Sequence, residues 1–313
     1  MDKVLIHDIS HHQGDLKTYW QMFIDKGCKA VIIKATEGYA YYNIFKEHAR
    51  QAKAHGLLVG SYHYFRQQIE NLQNQWVNCD PARQAQNYVD WVQKCGVEMD
   101  LPPALDVENG NNPYLSAKAI TKCLQKIEQL FGRKPFIYSS PSILIDQLNN
   151  PAWGEFPLWL AHYTTEKKIL IPKAWDTYTL WQFSDKITYD KTNANGAVIS
   201  RKPIDHNWFN GSLADLVAFC DKDSTIPTIP PDDPPTIPPI VTIEITADYL
   251  RLRHKPSFYA PPTLILEQGQ RLLVLKENIV SDGITWYEVA IPGQYGLASG
   301  FVSASKRYTK QVI

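Results

Sequence analysis

The sequence predicts an α/β barrel followed by a small all-β barrel, and three observations carry that expectation. Residues 4–209 alternate short apolar runs with stretches of helical period. A proline-rich run, DKDSTIPTIPPDDPPTIPPI, fills residues 221–240. Beyond it the chain is a series of short β-prone runs punctuated by Pro, Gly and Asp-Gly. A length of 313 residues suits two domains at roughly 150 residues each.

In chain order the predicted strands are VLIHDIS (4–10), AVIIKATE (30–37), LLVGSYHYF (57–65), PPALDVE (102–108), PFIYSS (135–140), PLWLAHY (157–163), TLWQFS (179–184) and PIDHNWF (203–209). The early runs are apolar almost throughout, as strands buried on both faces of a parallel sheet are. Between them, Ala85, Tyr88, Val89, Val92 and Cys95 share one helical face, and so do Ile120, Cys123, Leu124, Ile127 and Phe131. Asp80-Pro81 reads as an N-cap followed by proline at the first helical position. Gly27, Gly56, Gly96 and Gly132 stand where such helices stop. Eight strands with helical crossovers suggest a parallel (β/α)₈-type barrel, short of helices over its last three connections. The competing architecture is an open doubly wound sheet. No GxGxxG or GxxxxGK[ST] follows any strand, which argues against its nucleotide-binding versions.

Prolines fix φ and remove backbone donors, so residues 221–240 are expected to be an extended, semi-rigid linker. The expected division is a large domain over 1–220, the linker, and a small domain over 241–313. In the last of these, YLRLRHKPS, LILEQGQRLLVLKE, ITWYEVA and ASGFVSA are the β-prone runs.

Composition excludes several classes of function. The chain is 44% hydrophobic and 20% charged, enough to fill a core. Lys+Arg and Asp+Glu number 32 each, and this balance argues against a nucleic-acid partner. No apolar run reaches the ~18 residues of a membrane span. The start, MDKVLIHDIS, lacks the basic, apolar and small-residue zones of a signal peptide and reads instead as the first strand of a fold, with no leader expected. Cys28, Cys79, Cys95, Cys123 and Cys220 are odd in number, widely spaced and free of any CxxC pattern, which reads as free thiols. Nothing in the sequence asks for a cofactor.

Polar residues at the C-terminal ends of barrel strands read as catalytic. Those ends hold Asp8, Lys34 with Glu37, His63, Asp106 with Glu108, Tyr138, Tyr163, Gln182 and Asp205. In LDVE, strand alternation places Asp106 and Glu108 on one face and Val107 on the other. Neighbouring carboxylates oppose each other's ionisation, so one keeps a proton near neutral pH, as glycoside hydrolysis requires. A metal site or a solvated strand end would use the same residues, and Asp205 could equally form a turn. His7, His11 and His12 surround Asp8, but adjacent histidines on one element do not readily share an ion, so no metal is expected. Trp159, Tyr163, Trp181 and Trp208 lie near the same ends. Aromatic faces stack on sugar rings, though some of these must be core.

The motifs DISHHQGD, VIIKATEG, GSYHYF, PALDVE, FIYSS, WLAHY, WQFS and IDHNWF, in this order over residues 4–210, resemble glycoside hydrolase family 25, the Chalaropsis-type lysozymes common among phage endolysins. The resemblance implies an irregular TIM-like (β/α)₅β₃ barrel. It also implies hydrolysis of the β-1,4 bond between N-acetylmuramic acid and N-acetylglucosamine, so that the partner is bacterial cell-wall peptidoglycan. It makes Glu108 the general acid/base. Asp106 becomes the nucleophile or the carboxylate that steadies a substrate N-acetyl group, and Asp8 and Asp205 orient and tune the pair. Tyr62, His63, Tyr138, Trp159, Tyr163, Trp181 and Gln182 become the substrate-binding candidates. His7 departs from the usual small or apolar residue before the first aspartate. The C-terminal segment resembles a bacterial SH3-like wall-binding module, with YLRLRHKPS in place of the more usual LNVRSGPS and SGFVSA as its closing element. DxE pairs also serve chitinases and N-acetylhexosaminidases, and an inactive glycan-binding protein could keep the same scaffold.

Overall fold

The computed structural model describes residues 3–70, 76–110, 112, 114–221, 242–253, 255–260, 262–291 and 298–312. The chain divides into two compact units. The first runs to Gln67 and resumes at Cys79, and the second takes the Gln68–Asn78 segment and the C-terminal strands.

The first unit is built on eight strands: β1 (Val4–Ile9), β2 (Cys28–Glu37), β3 (Leu58–Tyr64), β4 (Ala104–Asp106), β5 (Phe136–Ser139), β6 (Leu158–Ala161), β7 (Leu180–Ser184) and β8 (Asp205–Phe209). They pair in sequence order, and β8 returns to β1, so the sheet closes and the open-sheet alternative is excluded. From β1 to β7 every pairing is parallel. β8 is antiparallel to both neighbours, which corrects the expectation of an all-parallel ring. The reason lies in the connection. Between β7 and β8 the chain forms an antiparallel hairpin, Thr188–Thr192 with Val198–Pro203, and no helix. A parallel strand needs a crossover to carry the chain back to the opposite rim. A hairpin leaves it at the rim it came from, and β8 must run downward.

The crossovers are α1 (Trp20–Asp25), α2 (Ile44–Ala54), α3 (Pro81–Cys95), α4 (Ala117–Phe131) and an irregular helical stretch, Ser142–Leu148, before β6. α3 starts where Asp80 accepts the Arg83 N–H, with Pro81 inside the first turn. It stops at Gly96, whose φ of 68° suits glycine. Ala85, Tyr88, Val89, Val92 and Cys95 are buried, as are Ile120, Cys123, Leu124 and Ile127 on α4. α5 (Leu213–Asp221) follows β8, so Asp221, assigned above to the linker, is helical. The rest of the expected linker, 222–240, lies outside the described residues.

Strand alternation sorts the side chains into two layers. Leu105, Val107, Ile137, Leu158 and Leu160 pack outward against the helices. Ile6, Ala30, Ile32, Ala104, Phe136, Leu180 and Phe209 fill the barrel interior, joined by Leu216 of α5. Phe219 of α5 lies 5.6 Å from Phe136 and 5.9 Å from Phe209, ring centroid to ring centroid. α5 thereby plugs one end of the barrel with apolar groups and leaves the polar residues at the other. All five cysteines are free, and four of them are buried.

Among the described residues the C-terminal part of the second unit forms one antiparallel sheet of seven strands: β9 (Thr242–Ile245), β10 (Tyr249–Arg253), β11 (Pro262–Glu267), β12 (Arg271–Ser281), β13 (Ile284–Ile291), β14 (Ala298–Ser303) and β15 (Thr309–Val312). Their order is β11-β10-β14-β13-β12-β9-β15. Ile243, Ile245, Leu252, Leu266, Leu272, Val289 and Val302 form its core. Asp282 and Gly283, both at positive φ, make the tight turn between β12 and β13.

Candidate active site

Four carboxylates meet at the open rim. On β1, Ile6 faces the interior, so Asp8 does too, and it is 5% exposed. On β4, Ala104 and Asp106 face inward. The extended geometry continues past the strand because the Val107 N–H donates to the Tyr138 carbonyl at 2.9 Å and the Ser139 hydroxyl to the Val107 carbonyl at 2.7 Å. Val107 therefore points into the helix layer, and Glu108 turns back over the rim beside Asp106. Asp205 is the first residue of β8, directly opposite Asp8. The antiparallel run of β8 is what brings the start of that strand to the rim where the parallel strands end.

Asp8 is held by a network of amides. Its Oδ2 accepts from Gln182 Nε2 at 3.0 Å and from Asn207 Nδ2 at 2.8 Å. Gln182 Oε1 in turn accepts from the hydroxyls of Tyr138 (3.0 Å) and Tyr163 (2.8 Å). The Trp159 indole N–H donates to Asn207 Oδ1 at 2.7 Å. The indole N–H can only donate, so the Asn207 amide must turn its N–H group to Asp8, and the Gln182 amide is oriented the same way.

Burial raises all four carboxyl groups above the ordinary range. Asp106 is pushed well up, first by burial and then by the charge of Glu108, with the Lys34 ammonium opposing. Burial raises Glu108, while the Tyr138 hydroxyl, its proton shared with Gln182, and the charge of Lys34 pull it back. Asp205 is raised by burial and then by Asp8, to which it is hydrogen-bonded. Asp8 is raised by burial against the pull of Asn207 and Gln182. The cluster thus holds protons at neutral pH that lone carboxylates would have released. Asp106 Oδ1 is buried and has no hydrogen-bond partner among the described residues.

Beside this cluster Glu37 accepts from Lys34, from Arg66 Nε (2.8 Å) and from the Tyr42 hydroxyl (3.1 Å). Although burial acts to raise it, the two cations hold Glu37 down to about 2. The Lys34 ammonium lies 4.6 Å from the centre of the Tyr64 ring. Strict alternation would put Lys34 and Glu37 on opposite faces. A register shift between Lys34 and Thr36 brings them together.

Of the binding candidates, Tyr62, Tyr138, Tyr163 and Gln182 lie with the carboxylates. Tyr163 is 54% exposed at the rim. Three candidates are corrected. His63 faces outward because Tyr62 and Tyr64 face inward. It is fully buried, with Thr36 Oγ1 at 2.7 Å from Nδ1 and Gln84 Oε1 at 3.3 Å from Nε2. Trp181 also faces outward, and its indole N–H donates to the His162 carbonyl at 2.7 Å. Trp159 faces inward but is 1% exposed, a support beneath Asn207 and no stacking platform. Trp208 stacks on Phe183, at 5.0 Å, outside the barrel. Arg66 and Asn207 escaped the sequence reading. Asn207 had a usable signal, since it shares the inward face of β8 with Asp205.

The glycosyl hydrolases family 25 model matches residues 7–191, a span that contains Asp8, Asp106 and Glu108. The chain belongs to this family. It is a glycoside hydrolase of the lysozyme and muramidase group. The uncharacterized protein YegX of Escherichia coli strain K12 is 31% identical over 226 residues, spanning 69% of this chain and 74% of its own. The N,O-diacetylmuramidase of Chalaropsis sp is 28% identical over 208 residues, 61% of this chain and 87% of that one. Among solved structures, a muramidase from Trichobolus zukalii superposes with a TM-score of 0.53 at 30% identity, covering 70% of this family 25 hydrolase and 99% of its own chain. Asp205 and Asn207 lie beyond the matched segment, so their place in the site rests on the antiparallel pairing of β8.

Proposed function

We propose that this family 25 hydrolase is an N-acetylmuramidase that cleaves the β-1,4 bond between N-acetylmuramic acid and N-acetylglucosamine with retention. We further propose that it serves as a phage-type endolysin acting on the cell wall, with the C-terminal unit an SH3-like wall-binding module. The observation that carries the catalytic reading is the Asp106–Glu108 pair: two carboxyls on one face of one strand end, both raised, one with an oxygen that has no partner among the described residues. In this reading the proton held by the coupled Asp106–Glu108 pair passes to Glu108 when substrate binds, and Glu108 delivers it to the glycosidic oxygen as the C1–O bond breaks. Asp106 accepts the N–H of the substrate acetamide, whose carbonyl oxygen attacks C1 and closes an oxazoline ring. Glu108, now a carboxylate, takes a proton from the water that opens the ring, and the β configuration is restored. Asp8 and Asp205, sharing a proton, carry one negative charge between them and spare the reacting pair a second.

The test is end-group analysis of digested peptidoglycan. New muramic acid reducing ends are expected. New glucosamine ends would make the enzyme an N-acetylhexosaminidase. Proton NMR of the first product is expected to show the β anomer, and an α product would remove the acetamide route.

A further inference from the structure

We propose that the outward face of β10 and β11 is a binding groove for a short peptide carrying both a free carboxylate and a free amine, the chemistry of the peptidoglycan stem peptide. The proposal rests on the reading of the C-terminal unit as a wall binder and names where, and to which part of the wall, it binds. The groove has a volume of about 580 Å³ and is lined by Asp248, Tyr249, Arg251, Ile265, Glu267 and Gln268. Its construction follows from alternation. Leu250, Leu252 and Leu266 turn into the core, so Tyr249, Arg251, Ile265 and Glu267 turn out. Tyr249 is paired across the strands with Glu267, and Arg251 with Ile265. The four therefore form one contiguous patch of alternating chemistry.

Two features set this patch apart from an ordinary solvated face. Tyr249 and Ile265 are both 60% exposed, side by side with the charges. Among the described residues, Asp248, Arg251 and Glu267 have no ion-pair partner. Elsewhere on the same unit Glu244 engages both Lys310, at 2.8 Å, and Arg271, at 3.3 Å. An arginine and two carboxylates around an apolar floor complement a ligand that brings both signs of charge and small apolar side chains. A stem peptide has carboxylates for Arg251, the amine of its dibasic residue for Asp248 and Glu267, and alanine methyls for Tyr249 and Ile265. A neutral sugar chain offers nothing to the two carboxylates but hydroxyls and amides that water replaces equally well.

The experiment uses the full chain carrying Glu108→Gln, so that walls are not digested, with excess chitotetraose to occupy the barrel. Retention on purified cell walls is compared with and without Tyr249→Ala or Arg251→Ala, and with the soluble tetrapeptide L-Ala–γ-D-Glu–L-Lys–D-Ala as competitor. Retention is expected to survive chitotetraose, to fall about tenfold or more in each variant, and to be displaced by the tetrapeptide. Retention that survives chitotetraose but ignores both substitutions would overturn the groove and leave the wall-binding reading standing. Retention abolished by chitotetraose alone would overturn both, since the barrel would then be the sole anchor. As a measurement independent of any variant, the tetrapeptide titrated into the same chain is expected to shift the backbone amide signals of β10 and β11. Signals that do not move at millimolar tetrapeptide would overturn the proposal.

Discussion

At the residue scale the site depends on a balance between burial, which raises its carboxyl groups, and a few partners that lower them. Glu108→Gln keeps the shape and the Tyr138 contact but has no proton to give. Wall lysis by the purified variant is expected to fall by roughly 10²–10⁴-fold while thermal unfolding and glycan binding stay near wild type. Lysis within tenfold of wild type would take Glu108 out of the acid role. Lys34 offers a complementary test. Its ammonium opposes the rise of both Asp106 and Glu108. Lys34→Met removes that opposition, so both groups release their protons at higher pH than before. Both limbs of the bell-shaped kcat/KM profile are therefore expected to move upward in pH, while Lys34→Arg leaves them nearly in place. Limbs that stay put in Lys34→Met would show that the ammonium is too well neutralised by Glu37 to be felt at the reacting pair.

At the scale of elements, strand positions and their inward faces were legible because apolar runs and alternation are local properties. All eight barrel strands fall inside their predicted runs or within two residues of them. Direction was not legible. Alternation reads the same forwards and backwards, and the antiparallel run of β8 is set by the hairpin that precedes it. The bulge that joins Lys34 to Glu37 was equally hidden, since it depends on pairing with β3. His63 is a different case. The inward tyrosines on either side already placed it outward, and its polarity drew the functional reading. The seam between β1 and β8 makes a prediction of its own. His7 and His206 turn outward there, with ring centroids 4.4 Å apart, and the Tyr189 hydroxyl of the hairpin lies 3.1 Å from Nε2 of His7. Burial, then the neighbouring His206, holds His7 well below its ordinary value of 6.5. A histidine kept neutral in the folded state contributes its full stability above the unfolded value. That contribution is lost as pH falls below 6.5, because the unfolded chain gains a proton that the native one refuses. The four raised carboxyls act in the opposite sense, so the clean comparison is wild type against His7→Phe. The difference in unfolding free energy is expected to shift in favour of the variant by about 1.4 kcal/mol per pH unit as the pH is lowered below that value. Parallel stability curves for the two proteins would mean that His7 is protonated in the native state.

At the scale of the molecule, the question is what the second unit adds to the enzyme. Asp8, Asp106, Glu108 and Asp205, with Gln182, Asn207 and Trp159 behind them, all come from the first unit, and α5 closes its apolar end before residue 222. A chain cut within 222–241 keeps that helix and every group named in the reaction. It is expected to fold and to hydrolyse soluble peptidoglycan fragments with kcat/KM within about twofold of the full chain. Whole cells present a different problem, because the substrate is an immobile surface. A tethered wall binder turns each encounter after the first into an intramolecular one, and avidity of this kind can exceed either single affinity by 10²–10⁴-fold. Lysis of intact Gram-positive cells by the shortened chain is therefore expected to fall at least tenfold at low enzyme concentration. The deficit should close as enzyme is raised, because mass action then replaces tethering. The dose dependence separates targeting from damage, since a misfolded barrel would lose activity on soluble fragments at every concentration. Undiminished lysis of whole cells, with the isolated 242–313 segment failing to bind any wall, would leave the seven-stranded unit without a targeting role.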